Sequence, residues 1–151
     1  MKLVNKLFLG GTCNNDPWRE ELIPELDKLG IEYFNPVVDD WNEQCRLIEQ
    51  EEKKHDDFIY IITPNQKGVY SFAEIIDSVY RRLIKGCVLV GFTSKSTYDK
   101  AQEKSMSAVI SLVNEIASDN KCGYRIKAAW IDKPTDILSL SKLMYSKKLM
   151  K

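Results

Sequence analysis

Hydrophobic positions along the chain alternate between two patterns. Short apolar runs rich in β-branched and aromatic residues occupy 6–9, 31–34, 58–63, 87–92 and 125–131, each bounded by turn-forming residues, and predict five strands. Between them apolar residues recur with helical spacing over 17–29, 42–54, 71–84 and 98–117, and 135–147 closes the chain in the same way. This alternation of strand and helix predicts a parallel sheet covered on both faces. Asp16-Pro17 supplies a cap and a first-turn proline for the first helix, and Gly30 ends it; Gly86 is expected to end the third helix likewise. Pro24, inside the first helical pattern, predicts a kink or a split there.

At 151 residues the chain is expected to form one domain, 1–151, with a core that needs neither disulfides nor metal. Lysines plus arginines and aspartates plus glutamates number 22 each, so no overall field favours polymeric nucleic acid or an anionic membrane. The four cysteines are scattered and there is one histidine, which excludes a zinc-ligand spacing and suits reduced thiols in a cytoplasmic protein. No apolar run approaches the roughly 20 residues of a membrane span, and the first ten residues do not form a secretory signal. The charge run 49–57 reads as a solvated helix face leading into the third strand, with Asp57 the one member set aside for chemistry.

In an open parallel sheet, ligands bind beyond the carboxyl ends of the strands, where the strand order reverses. Three segments are expected to converge there. Gly10-Gly11-Thr12 follows the first strand, where absent side chains would let a ligand approach the backbone and the positive end of the first helix. Asn35 to Trp41 follows the second strand and offers the Trp41 ring for stacking and the Asp40 carboxylate as an acceptor. The third is the loop from Lys67 to Glu74.

The stretch from Asp57 to Glu74 is the richest in chemistry, with one carboxylate heading a buried strand and a second opening the next helix. Ser71-x-x-Glu74 also spells a capping box, which would spend both side chains on the helix start. The alternative is a pair of carboxylates around a sugar carbon.

Phe8-Leu9-Gly10-Gly11-Thr12, Asn35-Pro36-x-x-x-Asp40-Trp41 and Asp57-Phe-Ile-Tyr-Ile-Ile, with Glu74 opening the third helix, resemble the nucleoside 2-deoxyribosyltransferase-like family over roughly the first 95 residues. The resemblance implies a flavodoxin-like or Rossmann-like three-layer sandwich with a five-stranded parallel sheet. It also implies a nucleoside or nucleotide substrate, no cofactor, and a homodimer or higher homo-oligomer. Glu74 would be the nucleophile at C1′ and Asp57 the proton donor to the departing base, with Gly10, Gly11, Thr12, Asp40, Trp41 and Ser71 holding substrate. Departures from the family pattern are Ile76 in place of a glycine after the glutamate, Gly68 in place of an aspartate or serine, and Phe8 in place of a tyrosine. They leave transfer to a second base and transfer to water both open. They also admit a nucleotide-binding sensor or scavenger that has kept the scaffold without turnover.

Overall fold

The computed structural model describes residues 6–13, 16–37, 42–54, 57–142 and 144. Five strands, β1 (Lys6–Gly11), β2 (Glu32–Phe34), β3 (Asp57–Ile62), β4 (Cys87–Thr93) and β5 (Ile126–Ile131), form one parallel sheet in the order β2-β1-β3-β4-β5. This is the flavodoxin-like order, whose reversal point lies between β1 and β3. The helices are α1 (Trp18–Leu29), α2 (Glu43–Glu52), α3 (Tyr70–Arg81) and α4 (Lys100–Asp119), and two 3₁₀ segments, Lys95–Thr97 and Pro134–Leu140, complete the described elements. No helix among the described residues is long and apolar enough to cross a membrane.

Each face of the sheet carries its own core, because successive strand residues point to opposite sides. Leu7, Leu9, Ile59, Ile61 and Leu89 pack under Trp18, Leu22 and Leu26 of α1 and under Ile137 and Leu138. Phe8, Phe58, Tyr60, Val88, Val90 and Phe92 pack on the other face against Ile75 and Val79 of α3 and Val113, Ile116 and Ala117 of α4. β3 and β4, central in the sheet, are buried along their whole length, as the uninterrupted apolar runs imply. The apolar stripe of α4 goes largely to core: Met106, Val109 and Ile110 pack against the buried cluster that Val113 and Ile116 join.

Three local expectations are revised. α1 is a continuous helix through Pro24, since Trp18, Leu22, Leu26 and Leu29 are held against the sheet, and that burial outweighs the missing amide. Gly30 closes it in the left-handed region, as expected. α3 stops at Arg81, five residues before Gly86. The carbonyls beyond it are gathered by the Arg125 guanidinium, which donates to Arg82 O at 3.0 Å and Leu83 O at 2.7 Å. The closing segment, expected as a helix over 135–147, is a 3₁₀ turn over Pro134–Leu140, and most residues after Lys142 lie outside the described ones. On β5, at the sheet edge, Asn114 of α4 accepts from Ala128 N at 2.9 Å and donates to Ala128 O at 2.8 Å.

Candidate active site

The end of β1 was expected to cradle a ligand. Its glycines are also required by strand packing. Gly11 has φ +114°, and a Cβ there would stand 2.1 Å from Ile61 O on β3. A Cβ on Gly10 would stand 2.5 Å from the Tyr60 ring. Thr12 is fully buried: its amide donates to Ile61 O, while its hydroxyl donates to Gln66 Oε1 and accepts from Thr63 N. The loops after β1 and β3 therefore do converge, but they do so on each other.

The positive end of α1 is likewise occupied from within the chain. Asp16 Oδ1 accepts from Trp18 N at 3.1 Å, and Oδ2 accepts from Thr63 Oγ1 at 2.6 Å and Asn65 Nδ2 at 2.8 Å. Arg19, buried beneath the turn, donates to Leu9 O and Thr12 O and stacks over Trp18 at 4.1 Å. Burial lowers its pKa from the usual arginine value, and the neighbouring Cys13 and Asp16 counter that shift.

Glu74 is free of the capping box. α3 begins at Tyr70, one residue before Ser71, so Ser71 already lies inside the helix and is not its cap. Among the described residues the Ser71 hydroxyl meets only Gln66 Nε2, at 3.4 Å. Glu74 Oε2 accepts instead from Lys53 Nζ at 2.6 Å, across from the end of α2. The pair stands on the wall of an open cleft of about 730 Å³ between the end of α2 and α3, floored by Phe58 and Tyr60 of β3.

Tyr70, Glu74, Asp77, Ser78 and Arg81 share the cleft-lining face of α3, as their spacing of three and four residues requires. Tyr60 OH and Ser78 Oγ are 2.7 Å apart, tying α3 to the sheet. Burial, reinforced by the Glu74 and Asp77 charges, pushes the Tyr60 phenol well above its ordinary pKa, although its bond to Ser78 and the Arg82 charge act the other way.

The two carboxylates expected to act together are not brought together. Asp57 pairs in register with Leu7 and Cys87, both on the α1 face, whereas Glu74 lies on the face of Phe58 and Tyr60. Asp57 is buried and does not line the cleft. Its neighbour Cys87 has a thiol pKa pushed up by burial and by the Asp57 charge. Asp40 and Trp41 lie outside the described residues. Lys53, Tyr60 and Ser78 were missed in the sequence. Ser78 was findable at four residues from Glu74 on one helical face, whereas Lys53 carries no local signal within its charge run.

Residues 4–76 match the model of a family described as nucleoside 2-deoxyribosyltransferase like, which bears out the resemblance. The match runs from β1 into α3 and takes in Glu74. No curated protein and no solved structure matches the chain significantly.

Proposed function

With a nucleoside 2-deoxyribosyltransferase-like match over residues 4–76 as premise, we propose that this protein is an enzyme that breaks the N-glycosidic bond of a nucleoside or nucleotide and passes the sugar to a second base or to water. The observation that carries this reading is the release of Glu74 from helix capping into an open cleft. Among the described residues its Oε1 has no hydrogen-bond partner, and this is the atom left to attack C1′. As the Oε1–C1′ bond forms, the C1′–N bond breaks and the base leaves with the bonding pair, taking its proton from water in the open cleft. Water or a second base then displaces Glu74 from C1′. The burial of Asp57 beside Cys87, across the sheet, favours a structural role for it over proton donation.

In this reading the whole of 1–151 acts as one domain, supported by β4 and β5 completing the sheet that the matched segment begins. The test is incubation with a panel of deoxynucleosides and their 5′-monophosphates, with and without an acceptor base, followed by chromatography. Wild type is expected to release or exchange base, and Glu74→Ala to lose at least about 10³-fold in rate, as expected when a covalent nucleophile is removed. Equal turnover by both proteins would refute the assignment. Ligand-induced thermal stabilisation without turnover in either would establish the sensor or scavenger instead.

A further inference from the structure

We propose that Lys53 is the positioning residue of this site, setting the Glu74 carboxylate so that one oxygen is engaged and the other is presented to the sugar carbon. The inference rests on Glu74 as nucleophile. Lys53 is unusually well anchored for a residue in a charge run. Its amide donates to Glu49 O at 2.9 Å as α2 ends, and its carbonyl accepts from Arg82 Nη2 at 2.7 Å. Arg82 is itself seated on the Phe58 ring at 4.3 Å. From that fixed backbone the Lys53 ammonium reaches across to α3, standing 2.6 Å from Glu74 Oε2 and 5.4 Å from the Phe8 ring centroid.

Both partners of the pair are partly covered, with 34% of the Lys53 and 21% of the Glu74 side chain exposed. The contact bridges the two helices that flank the cleft, unlike the i,i+3 and i,i+4 surface pairs such as Lys54–Glu51 and Arg81–Asp77.

Two roles compete for such a cation. Against the sugar, an ammonium would repel the positive charge that develops at C1′, raising the barrier that Glu74 is there to lower. Behind the carboxylate, on the far oxygen, it costs some nucleophilicity and removes rotational freedom from the attacking group. Orientation is the larger effect, since a displacement of about 1 Å in a reacting group costs on the order of 100-fold. Lys53 lines the same cleft as Glu74, and its single contact engages Oε2 while Oε1 has no hydrogen bond among the described residues, an arrangement that fits the second role.

The test compares Lys53→Met, which keeps the stem and removes the charge, with Lys53→Arg and Glu74→Ala, all in the full chain and on the best substrate of the panel. Lys53→Met is expected to lower kcat roughly 10- to 100-fold with KM within about two-fold of wild type, and Lys53→Arg to recover a substantial part of kcat. A rise in KM at unchanged kcat would overturn the proposal and make Lys53 a substrate-binding group. Unchanged kcat and KM in Lys53→Met would also overturn it, leaving a surface ion pair and the Glu74 assignment intact. Turnover retained by Glu74→Ala would instead remove the nucleophile itself, and the role of Lys53 with it. A melting curve of Lys53→Met close to wild type, read beside the Arg variant, separates misplacement of Glu74 from loss of fold.

Discussion

Gly11→Ala is expected to destabilise the chain far more than its position at a strand end and loop suggests. The new Cβ would lie 2.1 Å from Ile61 O and 2.9 Å from the Ile61 carbonyl carbon and amide nitrogen, all backbone atoms of a central strand that no rotamer change can move. Relief requires β1 to part from β3 where Thr12 N donates to Ile61 O at 3.0 Å and Thr63 N to Thr12 Oγ1 at 3.0 Å. Holding alanine at φ +114° costs about 1–2 kcal/mol. Overpacking adds about 1–3 kcal/mol, and weakening one of these hydrogen bonds about 1 kcal/mol. The sum is roughly 3–6 kcal/mol, which for a chain of this length lowers Tm by roughly 6–24 °C.

Thermal denaturation of the ligand-free protein, followed by far-ultraviolet circular dichroism, measures it directly. A Tm within about 2 °C of wild type would refute the packing account, since even 1 kcal/mol moves a chain of this size by that much. If the glycine instead served only to let a ligand approach, the ligand-free melt would be unchanged and only ligand-induced stabilisation would fall.

Tyr60→Phe removes a hydroxyl 2.7 Å from the buried Ser78 hydroxyl and is expected to cost about 1–2 kcal/mol in urea unfolding, with Ser78→Ala adding less than its separate cost when the two are combined. Strict additivity of the two changes would refute the coupling. Alkaline pH is expected to destabilise the fold. Cys87, Tyr60 and Tyr98 all have folded pKa values raised, chiefly by burial, Tyr98 to about 12, so the folded chain keeps protons that the unfolded chain releases. Their contribution is intact below about pH 9 and is lost as pH rises above it, at up to roughly 1.4 kcal/mol per pH unit for Tyr60 alone. Tyrosinate absorbance checks this: the signal missing from Tyr60→Phe should appear in wild type only on unfolding, and its appearance alongside the exposed phenols of the folded protein would refute the assignment.

The architecture was legible because β3 and β4 are apolar at nearly every position and the helical segments between strands are not. The same property hid the site. A strand buried on both sides does not announce which parity faces which helix, so Asp57 and Glu74 read as neighbours in sequence logic although Asp57 belongs with Ile59 and Ile61 and Glu74 with Phe58 and Tyr60. Ser71-x-x-Glu74 has the right residues for a cap, but a helix start displaced by two residues is enough to spoil the geometry. Pro24 obeyed its tertiary surroundings over its own preference. The Lys53–Glu74 contact joins residues 21 apart through two helices and a strand, and a charge run has no local pattern that singles out one lysine for such a partner.

The Asp16 carboxylate gives the molecule an internal counterion. Many folds of this topology import an anion to satisfy the amides at the head of the first helix; here the chain has already installed one, fastened by Thr63 and Asn65. That carboxylate brings a negative charge to the head of α1 from within the chain. A phosphate arriving there would meet a covalently tethered rival, whereas in the cleft between the end of α2 and α3 the carboxylate on the wall is already matched by a lysine.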